Sequence, residues 1–158
     1  MPDINRTFTE LLNECKNEFV VFTHCGDTCD ALCNSLPDIL GVFVISRYSE
    51  PLPPMYVGYA GKINCNRQVT KHSIKRRISG STTPFHIRDN DFKYDPIPNP
   101  DKTKSDPIGY NKSIPLKELK VLCLEVRPPK GVPAELRKLL LLGVKKEFGS
   151  LPEANRRI

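Results

Sequence analysis

Gly41-Val42-Phe43-Val44-Ile45-Ser46 is followed by Met55-Tyr56-Val57-Gly58-Tyr59-Ala60-Gly61-Lys62 and then by Arg67-Gln68-Val69-Thr70-Lys71-His72-Ser73-Ile74-Lys75-Arg76-Arg77-Ile78. The reading of this stretch decides the fold. The first run is apolar and β-branched, which is the composition of a buried strand. Glu50-Pro51-Leu52-Pro53-Pro54 must then be an extended loop, because proline cannot donate to a ladder. A connection that short makes a second strand at Met55–Tyr59 antiparallel to the first. Gly58 and Gly61 allow backbone to approach a ligand. The third run reads as a helix over about residues 67–79 with a thin apolar stripe of Thr70, Ile74 and Ile78. On a helical wheel Arg77 lies about 60° from Ile74 and Arg76 about 160° away. Arg77 therefore flanks the inward face, and Arg76 points to solvent.

Charge follows the same stretch. The chain of 158 residues carries 24 Lys and Arg against 18 Asp and Glu, a net +6. From Pro51 to Arg88 there is no acid, while Lys62, Arg67, Lys71, Lys75, Arg76, Arg77 and Arg88 are all basic. Solvated faces mix signs, so a window of one sign favours a phosphate-facing surface. A half-buried arginine needs an anion or a carboxylate. For Arg77 the choice is a bound phosphate or a distant acid.

Outward from this centre, Thr7-Phe8-Thr9-Glu10 fits a capping box ahead of a helix near residues 8–18. Phe19-Val20-Val21-Phe22 either extends that helix or forms a short strand. Asp27 or Thr28 can cap a second helix. Cys25, Cys29 and Cys33 recur every fourth residue. They are either small apolar residues on a buried stripe or, with His24, a thiolate metal site. Leu36-Pro37-Asp38 reads as a boundary between an N-terminal helical extension (1–38) and a second unit (39–158). Asp89 to Pro115 reads as a long irregular segment, and Leu119 to Val126 as a third strand. A last helix begins at Pro133, runs through four consecutive leucines (139–142) to about Phe148, and is capped by Gly149. The fold class is α+β. No signal pattern and no membrane-length apolar run is present, so the six cysteines read as reduced thiols in a cytoplasmic protein.

The order of these elements resembles the GIY-YIG nuclease superfamily over about residues 41 to 155, with a restriction-enzyme flavour in the proline-rich insert. Gly41-Val42-Phe43 stands at the first motif and Tyr56-Val57-Gly58 at the second. Ile74-Lys75-Arg76-Arg77-Ile78 is similar to the arginine helix, and Phe148 to Asn155 to the C-terminal end. The resemblance implies a small antiparallel sheet of about three strands flanked by helices. It implies metal-dependent hydrolysis of DNA phosphodiester bonds, with one divalent ion, Mg2+ or Mn2+. The expected partner is double-stranded DNA, and a palindromic cutter would act as a homodimer.

The roles transfer residue by residue. Tyr56 takes the place of the base and Arg77 that of the phosphate clamp. His72 is a further catalytic candidate. Lys62, Arg67, Lys71, Arg76 and Asn155 are candidates for contacting nucleic acid. Two positions depart from the pattern. Phe43 occupies the place of the first motif's tyrosine and lacks its hydroxyl, a role that Tyr48 or Tyr59 would have to fill. The metal glutamate is expected at Leu140 or Leu141, so Glu135 in the first turn of that helix becomes the candidate ligand, with Glu147 behind it. The alternative reading is a degenerate relative that binds nucleic acid or a protein partner without cleaving.

Overall fold

The computed structural model describes residues 6–61, 73–79, 85–94, 112–127 and 129–155. The class is α+β, with helices around a four-stranded and a three-stranded antiparallel sheet. Helix α1 (Phe8–Glu18) starts where Thr7 accepts from the Glu10 N–H. The ambiguous Phe19–Phe22 run resolves as strand β1 (Val20–His24), because it pairs antiparallel with a strand formed a hundred residues later. Helix α2 (Cys29–Ser35) is capped by Thr28, whose hydroxyl accepts from the Ala31 N–H.

Strands β2 (Gly41–Arg47) and β3 (Tyr56–Ala60) form the expected antiparallel pair, with Ile45 opposite Tyr56 and Phe43 opposite Gly58. Gly41 is obligatory for a local reason. A Cβ there would lie 1.8 Å from the Leu124 carbonyl oxygen on the strand paired with β2. Backbone cannot yield at that distance, so only glycine permits the register.

Helix α3 is described over Ile74–Ser79, with the earlier part of the expected basic helix outside the described residues. Then comes a feature the sequence reading misses. Where an irregular segment was expected from Asp89, β4 (Phe85–Arg88) turns back into β5 (Asp91–Tyr94), and β6 (Lys112–Pro115) completes a second sheet. The turn is Asp89-Asn90, with φ of 56° and 62°. Positive φ at both central residues is what a two-residue hairpin turn with native twist requires, and Asp and Asn tolerate it. Asn90 Oδ1 also accepts from the Cys29 N–H at 3.0 Å, tying the hairpin tip to the start of α2.

After a short 3-10 turn at Leu116–Glu118, β7 (Leu119–Glu125) inserts between β1 and β2, giving the order β1-β7-β2-β3. Helix α4 (Pro133–Phe148) begins with Pro133 in its first turn and ends on left-handed Gly149. No helix among the described residues is long and apolar enough to cross a membrane.

Alternation along β2 and β3 divides the core in two. Val42, Val44 and Val57 face α1 and α4, where Phe8, Leu11, Leu140, Leu141 and Val144 are buried. Phe43, Ile45 and Tyr56 face the other way, onto α2, α3 and the second sheet, through Leu32, Ile74, Ile78, Phe85 and Phe92. The extension before Leu36 thus adds an edge strand to the main sheet and a helix to its core.

Candidate phosphate site at the edge of the main sheet

Strand β3 is one of the two outer strands of the four-stranded sheet, and its motif residues are arranged around it. Phe43 and Tyr56 sit on the same face, with ring centroids 5.8 Å apart. Gly58 makes that contact possible, since a Cβ there would meet Phe43 Cζ at 2.4 Å and Tyr56 Cε1 at 2.6 Å. Phe85 closes on the other side of Tyr56 edge-to-face at 4.8 Å, and Phe92 and Tyr94 continue the aromatic row.

The Tyr56 side chain is buried, yet its hydroxyl is not isolated. Arg77, half-buried on α3, donates a hydrogen bond to it. Arg76 is exposed, as the wheel places it, and its N–H bonds to Ser73 Oγ at 3.2 Å. Burial pushes the Tyr56 hydroxyl above its ordinary pKa, and the charges of Arg137 and Arg77 pull it partly back. The balance leaves a neutral phenol. That suits a hydrogen-bond donor to a bound oxyanion better than the resting phenolate a general base requires.

Arg137 is the residue the sequence reading does not contain. It projects from α4, with Cζ 5.7 Å from the centroid of the Tyr59 ring. Tyr59 lies on the α4 side of β3, opposite to Tyr56, so it does not replace the hydroxyl missing from Phe43. Tyr48 does not replace it either. It is 58% exposed beyond the end of β2, where the Cys25 thiol donates to its hydroxyl at 3.3 Å.

Asn155 is only 7% exposed and binds backbone. Its Oδ1 accepts from the Val57 N–H at 2.8 Å, and its Nδ2 donates to the Val57 carbonyl at 3.0 Å. The outward-facing N–H and carbonyl of Val57 are thereby both satisfied by one side chain. Asn155 is a positioning residue for the strand that bears Tyr56, and a nucleic-acid contact would have to break these bonds. Next to it, Tyr94 donates to Glu153, which also lies 3.8 Å from Arg47. That pair ties the second sheet to the C-terminal loop.

The metal candidates do not join this group. Glu135 is exposed and lines a cleft between α1 and the start of α4, with Glu14, Cys15, Phe19 and Lys130. That cleft is on the face opposite Tyr56. The Glu147 carboxylate accepts from the Thr9 N–H and hydroxyl, both at 2.9 Å, and so locks α4 to α1. Leu140 and Leu141, where a glutamate is expected, are fully buried in the α1–α4 core. Among the described residues no three His, Cys, Asp or Glu side chains converge. The donor set at Tyr56 is cationic, and it does not fit a divalent cation. The thiolate alternative meets the same obstacle. Cys25 is exposed ahead of α2, and Cys29 Sγ accepts from the Asn90 N–H at 3.3 Å. Lys62, Arg67, Lys71 and His72 lie outside the described residues.

No protein-family model, curated protein or solved structure matches the chain.

Proposed function

We propose that this is a GIY-YIG-type domain that binds the phosphodiester backbone of double-stranded DNA without cutting it. The observation that carries this reading is the arginine-bonded phenol at the sheet edge. Arg77 donates to a buried, neutral Tyr56, and both groups are suited to donate to the non-bridging oxygens of a phosphate. The acid-free window from Pro51 to Arg88 would supply the surrounding positive field. A cytoplasmic setting agrees with the free thiols of Cys15, Cys25, Cys29, Cys33 and Cys123.

The test is the affinity for labelled duplex, single-stranded and branched DNA as salt is varied. Binding should weaken steeply with salt, and Arg77→Gln should weaken it more than Arg76→Gln. Affinity too weak to measure at low salt, or equal in both variants, would sink the reading.

The ordered motifs favour a second reading, a metal-dependent endonuclease, with Tyr56, Arg77 and the Asn155-clamped strand in its site. Plasmid cleavage with magnesium or manganese, above an Arg77→Ala control, would put this reading in place of the first. Glu135→Ala would then show whether that carboxylate serves the reaction.

A further inference from the structure

We propose that the outer edge of β1 is a docking surface for a second copy of this chain, the two β1 strands pairing antiparallel across a two-fold axis at Phe22. The interface stands on the geometry of the edge. Its use in gripping DNA rests on the phosphate-binding reading.

The two edges of the main sheet are treated differently. At β3 the C-terminal loop takes up outward backbone groups, the Met55 carbonyl through the Ala154 N–H at 3.0 Å and Val57 through Asn155. Strand β1 is the other edge. Hydrogen bonding alternates along each strand of an antiparallel ladder, so the outward turn of Val57 sets the pattern across the sheet. Val57 lies opposite Val44, Val44 opposite Leu122, and Leu122 opposite Thr23. Thr23, and Val21 two residues before it, therefore direct their N–H and carbonyl groups away from the sheet. Among the described residues nothing bonds to them. Free edges are normally blunted by a lysine, a proline or a bulge. Val20-Val21-Phe22-Thr23-His24 has no Lys, Arg, Asp, Glu or Pro, and its register with β7 is unbroken. Val20 is 59% exposed.

Three observations select a second copy as the occupant. The first is symmetry. The outward groups lie evenly about Phe22, so two identical antiparallel strands match Val21 with Thr23 of the second copy on both sides of the axis, and each match exchanges two hydrogen bonds. The second is side-chain pairing. Phe22 then faces Phe22 of the second copy, and Val20 faces His24 of the second copy. Aromatic cross-strand pairs are favourable, and no like charges meet. The third is spacing. The joined sheet runs β3-β2-β7-β1-β1-β7-β2-β3, with seven inter-strand gaps between its two β3 strands. At about 4.8 Å each, these set the β3 strands about 34 Å apart. One turn of a DNA duplex is about 34–36 Å, the usual separation of two half-sites. A two-fold axis normal to the sheet keeps both Tyr56 residues on the same face. Sheet twist turns them about the line that joins them and leaves the separation unchanged.

The experiment is sedimentation velocity of the full chain across a wide range of concentration, with thermal unfolding as the check on folding. The mass should rise from 17.9 kDa to twice that value. Thr23→Pro should abolish the dimer and leave the fold intact, because it removes an outward N–H and no bond to β7. Thr23→Lys should do the same by setting two ammonium groups across the axis, and it serves where the proline variant unfolds. Phe22→Cys should link two copies under mild oxidation through the introduced thiols, mapped by mass spectrometry. Opposed residues of a pair without hydrogen bonds lie about 4.5 Å apart at Cα, within disulfide reach. On a fluorescent duplex of about two turns, Thr23→Pro should bind at least about tenfold more weakly than wild type, and on one of about half a turn equally.

A chain that stays monomeric at every concentration overturns the proposal and leaves the edge to an extended segment of another protein. A dimer that survives both Thr23 variants, or that gives no link through Phe22→Cys, lies on a different surface and also overturns it. A dimer that is lost in the Thr23 variants, with no DNA bound by the wild type, keeps the interface and sinks the DNA-binding reading alone.

Discussion

Single residues set this site more sharply than their motifs suggest. Tyr56 is the expected base where a metal and neighbouring cations stabilise its phenolate. In the chain alone, burial raises its hydroxyl above the ordinary pKa, and the charges of Arg137 and Arg77 offset that only in part. Asn155, expected either to support the site from behind or to contact DNA, is the clip that holds β3 through Val57. Asn155→Ala should cost about 2–3 kcal/mol, since it removes two buried hydrogen bonds and leaves the Val57 N–H and carbonyl without partners. Urea unfolding measures this, and a loss below about 0.5 kcal/mol, typical of a surface substitution, would refute the clip. Arg77 against Arg76 is the residue-scale choice the wheel made in advance, and their burial agrees with it.

At the scale of elements, legibility followed locality. The start of α1 at Thr7, the start of α4 at Pro133 and its end at Gly149 were all readable, because caps are decided by a few adjacent residues. The second sheet was not read, although its turn is two residues long. Asp89-Asn90 lacks the glycine that usually marks such hairpins, and β4 and β5 have four residues each. Strand β1 stayed ambiguous because a short apolar run has no period of its own, and only its pairing with β7 makes it a strand. The β2–β3 pair makes a direct prediction. Gly58→Ala should destabilise by about 1–3 kcal/mol through overpacking against Phe43 and Tyr56. A shift in the denaturation midpoint at constant slope is the expected signature. An unchanged midpoint would mean that the two rings move apart at no cost.

For the whole molecule, the N-terminal extension belongs to the core that supports the site. Phe8 is 1% exposed and packs with Val42, Val44, Leu140 and Leu141. Phe8→Ala should therefore cost about 3–5 kcal/mol, and equilibrium unfolding monitored by circular dichroism would reveal a smaller loss. The buried thiols set a limit in alkali. Burial raises Cys15 from 9.0 to about 11 and Cys123 from 9.0 to about 12, so the folded chain holds these protons after the unfolded chain has released them. Stability is then full below pH 9.0 and falls as pH rises towards about 12, with up to ~1.4 kcal/mol per pH unit from each thiol. Tyr56 and Tyr94, both raised from 10.0, add to the fall above pH 10.0. Cys123→Ala should flatten the curve between pH 9.0 and 12, and an identical pH profile would contradict a buried, protonated thiol.

By itself the sequence determined the α+β class, the antiparallel β2–β3 pair, the helix ends and the inward turn of Arg77. Each depends on periodicity or capping within a dozen residues, where backbone geometry leaves few options. Only the tertiary structure decided which charges meet. Arg137 comes to the edge of β3 because α4 packs its leucines onto Val42, Val44 and Val57, and Glu135 faces α1 for the same reason. A contact between residues eighty positions apart depends on how a helix rotates as it buries its apolar side, and no local pattern encodes that rotation. Leu140 and Leu141, which stand where a metal carboxylate is expected, also fix the rotation of α4 that lays Arg137 over Tyr59.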